Sequence, residues 1–124
     1  MAVYLFRAFW ELAKVQYFLS FRDLPAIYAY VGASECSRRQ SSPRQPIEIC
    51  GAIDAACIWF WKEVSCLQRS AVTARLLREN GVSADMVIGA QSLPFKAHAW
   101  VEVNGQVIND KPYVREMYRE LDRF

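Results

Sequence analysis

The apolar residues of this chain change their period once, near residue 80. Up to Asn80 they recur at helical spacing, and from Asp85 to Asp110 they alternate with a period of two. Helices followed by strands cannot build repeated βαβ units. The pattern implies an α+β fold, with N-terminal helices packed on a small antiparallel sheet. At 124 residues a single domain spanning 1–124 is the expectation, with a helical part over 1–63 and a part over 64–124 holding one helix, the strands and a terminal helix.

The segment Ala2 to Phe21 is apolar almost all round, relieved by Arg7, Glu11 and Lys14 at i, i+4 and i+7, which predicts a long helix with one narrow polar stripe. Its apolar girth is to be covered by its own core, or by a partner or membrane surface. Its charges make a membrane span unfavourable, at about 2.5–3.5 kcal/mol for each central one. Asp23-Leu24-Pro25 breaks this helix and can start a second through Val31. Ser34 to Pro46 is polar and basic and reads as a loop, whose Arg38, Arg39 and Arg44 are solvated or meet acidic peptide side chains.

Ile49, Ile53, Ala56 or Cys57, and Phe60 predict a third helix from about Ile47 to Glu63, with Cys50 and Cys57 as small buried hydrophobes and Trp59 and Trp61 as packing residues. A fourth runs from Cys66 to Asn80, with Leu67, Ala71, Ala74 and Leu77 on one stripe and Asn80-Gly81 as its stop. Strands follow at Asp85–Ala90, Ala97–Val103 and Gln106–Asp110, the last two joined by Asn104-Gly105, and Tyr113 to Phe124 reads as a terminal helix after Pro112.

Fifteen basic and 13 acidic residues leave a formal charge of +2, which makes no electrostatic case for nucleic-acid binding. Four cysteines, at 36, 50, 57 and 66, form no C-x-x-C pair, and one histidine cannot complete a Cys/His zinc pattern, so no metal or cofactor is expected. Arg7, Glu11 and Lys14 interrupt any signal-peptide core, which makes the reducing cytoplasm the expected location.

Cys66 differs from the other cysteines in standing at a helix start. There the unpaired backbone N–H groups and the positive end of the helix dipole favour an anion on sulfur and can stabilise the oxyanion formed when a thiolate attacks a carbonyl. Such a nucleophile needs a base, and His98 is the one histidine, on a strand that puts His98, Trp100 and Glu102 on one face. Asp110 stands where a third group could orient the imidazole. Each residue also has a purely structural reading: Cys66 as packing, His98 as a hydrogen-bonded sheet residue, Asp110 as a cap for the terminal helix. Gln68 is either solvated or a second oxyanion donor.

The hairpin register decides between these readings of Asp110. A two-residue Asn104-Gly105 turn pairs Val103 with Gln106 and, continued, sets Asp110 opposite Ala99 on the wrong face. A three-residue loop over Val103, Asn104 and Gly105, with Gly105 in a left-handed bulge, brings Asp110 directly across from His98. The three-residue loop is therefore expected.

Cys66-Leu67-Gln68-Arg69-Ser70, Leu76-Leu77-Arg78, Gly81-Val82, Ile88-Gly89, and Phe95-Lys96-Ala97-His98-Ala99-Trp100-Val101-Glu102 followed by Gly105 resemble the leader peptidases of lasso-peptide biosynthesis, which are bacterial transglutaminase-like proteins. The likeness is dense from about Ser65 to Asp110 and only general upstream. It implies a transglutaminase-like (papain-like) cysteine protease core with Cys66 as nucleophile, His98 as general base and acid, and Asp110 as the orienting carboxylate. It implies removal of the leader from a lasso-peptide precursor, before a separate ATP-dependent cyclase closes the macrolactam. With no room for a fused recognition domain, the chain resembles the split type, in which a separate small protein binds the leader. Acyl transfer on the same triad, or a non-catalytic scaffold role, are the alternatives.

Overall fold

Residues 2–22, 24–32, 45–92 and 95–124 are described by the structure, a computed structural model. The elements run α1 (Ala2–Phe21), α2 (Leu24–Gly32), α3 (Gln45–Trp59), α4 (Cys66–Glu79), β1 (Ala84–Ser92), β2 (Phe95–Val103), β3 (Gln106–Val107), α5 (Val114–Met117) and β4 (Arg119–Arg123). The strands form one antiparallel sheet in the order β3-β2-β1-β4. The fold is α+β, as the change of period implies.

One face of the sheet carries the main core. Ala84, Met86 and Ile88 of β1 stand opposite Val103, Val101 and Ala99 of β2, and all but Ala99 belong to the cluster that includes Ala71, Ala74 and Leu77 of α4, Leu12 and Val15 of α1, and Ile49 and Ile53 of α3. The other face carries a smaller cluster of Val87, Trp100 and Val114, with Val107 and Tyr118 against it. Helix α4 ends as Asn80-Gly81 predicts: Gly81 takes φ +84, its N–H donates to the Arg78 carbonyl at 3.1 Å, and Val82 N–H donates to that of Leu77 at 2.8 Å, the paired bonds of a Schellman stop. Buried Arg78 joins α4 to three other segments, donating to the carbonyls of Ala84 (2.8 Å), Val31 (2.6 Å) and Phe124 (2.6 Å).

Helix α1 turns Glu11, the middle charge of its polar stripe, inward. Glu11 is buried, paired with Arg7 at 3.1 Å, Lys14 at 3.3 Å and Arg75 of α4 at 3.6 Å, while Arg7 also reaches Glu79 at 2.6 Å. The charged stripe thus faces α4, because a buried carboxylate is tolerated only when paired. Val3, Phe6, Trp10, Tyr17 and Phe21 are left on the exposed side. Among the described residues no helix is long and apolar enough to cross a membrane.

Helix α3 stops at Trp59 rather than Glu63, where Phe60 turns inward and stacks on Trp61. Trp59 is exposed and is not a packing residue, while Trp61 packs only through that stack and is otherwise exposed. The loop expected over Ser34 to Pro46, with its three arginines, lies outside the described residues up to Arg44; α3 begins at Gln45, with Pro46 in a first turn that needs no N–H from it. The expected terminal helix is also corrected. Only Val114–Met117 is helical, and Arg119–Arg123 pairs with the free edge of β1. Helix propensity in this segment loses to the unpaired backbone of β1 and to cross-strand ion pairs of Arg123 with Asp85 (3.0 Å) and Glu102 (3.1 Å).

Gly89 sits where β1 faces His98, beside a register shift against β4. A Cβ there would lie 2.6 Å from Trp100 Cη2, 2.8 Å from Cζ3 and 3.0 Å from Tyr118 Cβ. The absent side chain makes room for the Trp100 ring. Gly89→Ala is expected to destabilise the fold by about 1–3 kcal/mol, the usual cost of overpacking, read by denaturant unfolding; an unchanged midpoint would refute this account of the glycine.

Candidate active site

Ser65 has an extended backbone (φ −73°, ψ 163°) and caps α4. Its Oγ accepts the Gln68 N–H at 3.2 Å and its carbonyl accepts that of Arg69 at 3.0 Å, an arrangement worth about 1 kcal/mol of helix stability. Cys66 is therefore the first helical residue, and it is exposed. Among the described residues the N–H groups of Cys66 and Leu67 have no partner, which leaves two donors beside the thiol. Gln68 is neither solvated nor aimed at the site: it is buried, and its Nε2 donates to the Leu12 carbonyl at 2.9 Å, tying α4 to α1.

The turn joining β2 and β3 has two residues, not three. Asn104 and Gly105 both take positive φ (+53° and +76°), the conformation of a type I′ turn, and Val103 pairs with Gln106 and Glu102 with Val107. The expected bulge is absent and the third strand ends at Val107 instead of Asp110. Asp110 still meets His98, with Nε2 to Oδ2 at 2.5 Å. The register argument assumed that the ladder continues; it does not. Ile108 N–H donates to the Val101 carbonyl at 3.0 Å, but Val101 N–H is taken by the Asn109 side chain, Oδ1 at 2.8 Å. The chain leaves the sheet there and carries Asp110 to the imidazole. Asp110 does not cap α5; its Oδ1 accepts the N–H of the adjacent Lys111 at 2.7 Å, and Tyr113 stands at the cap without a side-chain bond.

Since β3 ends early, β2 is an edge strand at His98. The imidazole stacks on Tyr118 (5.2 Å between centroids) and Trp100 (6.2 Å), and Trp100 Nε1 donates to buried Glu102 at 2.9 Å. His98 and Cys66 line the same two cavities, each of about 170 Å³: one is apolar, bounded by Tyr28, Leu67, Ile88, Ala97 and Ala99; the other is polar, bounded by Arg69, Ser70, Asn109 and Asp110 among others. A wider cleft of about 540 Å³ near Phe95 and Tyr118 includes none of Cys66, His98 and Asp110. Partial burial pushes the Asp110 carboxyl up, but the hydrogen bonds from His98 and Lys111 N–H and the charges of His98 and Arg69 outweigh it and hold it below its ordinary value. Among the described residues no cluster of His, Cys, Asp and Glu could hold a metal ion.

The cysteines separate by environment. Burial first and Asp54 second push the Cys50 thiol up to about 11, and burial raises that of Cys57; both are half-buried, and Cys36 lies outside the described residues. Sub-stoichiometric iodoacetamide is therefore expected to label exposed Cys66 ahead of Cys57 and Cys50, with peptide mapping as the readout. Equal labelling of the three would contradict this order.

Two further contributors, Tyr118 and Asn109, are not among the residues singled out from the sequence. Tyr118 reaches His98 only because its segment is extended, in a region whose residues favour helix. Asn109 carried a signal, since Asn-Asp favours turns and could have marked the end of the strand.

The sequence has counterparts among known proteins. A stretch of 51 residues, 41% of this chain, is 47% identical to the microcin J25-processing protein of Escherichia coli, of which it covers 24%. The chain thus spans about a quarter of that relative's length. No solved structure matches it. The family described as the transglutaminase-like superfamily matches residues 12–123, which takes in the second half of α1 and every later element including the whole sheet, and the chain belongs to that superfamily.

Proposed function

We propose that this protein is a cysteine peptidase that cleaves the leader from a lasso-peptide precursor, using Cys66, His98 and Asp110. The observation that carries the reading is the His98–Asp110 hydrogen bond at 2.5 Å beside a cavity that His98 shares with an exposed, helix-start Cys66. The similarity to a microcin-processing protein supports the substrate class.

With Nε2 engaged by Asp110, Nδ1 of His98 is the nitrogen left to take the thiol proton. The Cys66 thiolate attacks the scissile carbonyl carbon, and the oxyanion is met by the N–H groups of Cys66 and Leu67. The imidazolium gives its proton to the leaving nitrogen, which departs as the core peptide's amine and leaves a thioester. His98 then takes a proton from water, whose oxygen attacks the thioester. The leader is released as a carboxylic acid and the thiol is restored. Asp110 stays ionised throughout, consistent with its lowered pKa.

A cytoplasmic site of action and a separate leader-binding protein belong to the same reading. The exposed stripe of Val3, Phe6, Trp10, Tyr17 and Phe21 on α1 supports a partner, because apolar area of that extent is ordinarily covered. The test is to incubate the chain with a precursor encoded beside it, in water enriched in oxygen-18, with and without the leader-binding protein. Hydrolysis puts one heavy oxygen on the new leader carboxylate, and the partner is expected to raise the rate at least about tenfold, some 1.4 kcal/mol. A leader carrying an amine instead would make the protein an acyltransferase, no cleavage at all would leave it a scaffold, and equal rates would remove the partner.

A further inference from the structure

We propose that Asn109 is a positioning residue for the site, a role that rests on the Cys66–His98–Asp110 reading. Continued past Val107, the observed register would set Val101 opposite Ile108, Ala99 opposite Asp110 and His98 opposite Lys111, with Asp110 on the wrong face. The ladder keeps one more bond, from Ile108 N–H to the Val101 carbonyl. Its reciprocal would run from Val101 N–H to the carbonyl of Ile108. Asn109 Oδ1 occupies that place, accepting the Val101 N–H at 2.8 Å. A side-chain amide thus satisfies the strand in place of the backbone, and the backbone is free to turn out of the sheet immediately before Asp110.

The other end of the amide faces the helix. Asn109 Nδ2 donates to Oγ of buried Ser70 at 3.1 Å, one turn beyond Cys66 on α4. One side chain therefore links the strand that bears His98 to the helix that bears Cys66, and its own neighbour in the chain is Asp110. All of these residues except Val101 border the same polar cavity. The two bonds need an acceptor and a donor at the reach of a short side chain, which is what asparagine offers. Its part is to fix where the carboxylate meets the imidazole; it does not act on the substrate.

The experiment uses the whole chain and two readouts. The chain has one histidine, so the downfield proton resonance of an imidazole N–H donated to a carboxylate is assigned without ambiguity. In Asn109→Ala that resonance is expected to disappear and kcat to fall about 100-fold, the scale of an ångström-level misplacement, with KM within about threefold. Asn109→Asp keeps an acceptor for Val101 N–H and is expected to retain the resonance. Since Asn109 acts through Asp110, the double variant with Asp110→Ala should be no slower than Asp110→Ala alone. Asn109→Leu, of similar shape without either hydrogen bond, replaces the alanine variant if that one does not fold. A retained resonance with cleavage within about twofold, or additive losses in the double variant, overturns the role of Asn109 and leaves the peptidase reading intact. Loss of the resonance in a protein whose wild type cleaves no precursor upholds the positioning and removes the peptidase.

Discussion

Cys66→Ala is expected to lose precursor cleavage by at least about 10⁴-fold, because removal of a nucleophile leaves only the binding and oxyanion contributions of the site. The residual N–H donors of Cys66 and Leu67 do not replace the missing sulfur. The fold should be unaffected: Cys66 is exposed, the cap of α4 is made by Ser65, and alanine is the best helix former. Unfolding free energies should therefore agree to within about 0.5 kcal/mol, as for an ordinary surface change. Cys50→Ala and Cys57→Ala make the internal control. Both side chains are half-buried on α3, so these variants should lose some stability yet still cleave. Cleavage by Cys66→Ala at a tenth of the wild-type rate or more would end the proposed mechanism, whatever the other variants did.

How far the sequence could be read follows from which interactions are local. Helix α4 was legible at both ends because its signals are short-range: Ser65 before it, Asn80-Gly81 after it, and an apolar stripe between. β1 and β2 were legible as alternation, each found slightly longer than expected. The sequence also singled out the two residues that now share a hydrogen bond, His98 and Asp110, but for a register that does not occur. Their meeting depends on one side chain, Asn109, replacing a ladder carbonyl, and no periodicity encodes such an exchange. β4 was misread for a related reason. Arg119–Arg123 is extended because β1 offers it a free edge and Asp85 and Glu102 offer Arg123 partners, all of them distant in sequence. In α1 the three charges were seen on one face, but the Arg75 and Glu79 side chains that turn that face inward lie on another helix.

The second large effect is expected at Asp110. Asp110→Asn is nearly isosteric and can keep the bond from Lys111 N–H, yet it should lower kcat by about 10²–10⁴-fold, as loss of the orienting carboxylate does in other triads. The reason is the tautomer. A carboxylate accepts from Nε2 and so holds the ring proton there, leaving Nδ1 unprotonated to receive the thiol proton. An asparagine NH₂ in the same place donates to Nε2 instead, which favours the proton on Nδ1, on the side where it blocks transfer from Cys66. The stability effect should be small at neutral pH and should have a definite sign with acidity. The Asp110 carboxyl is held below its ordinary value, so its contribution is fully present above the unfolded carboxyl value, about 3.9, and is lost as pH falls through the lower folded value. The stability gap between wild type and Asp110→Asn should therefore close on acidification below about pH 4, while the gap in kcat persists at every pH where the wild type works. Denaturant unfolding across that range and kcat against pH measure the two separately. A variant that cleaves within threefold of wild type would return Asp110 to a purely structural partner of His98 and Lys111, and would reduce the site to Cys66 and His98.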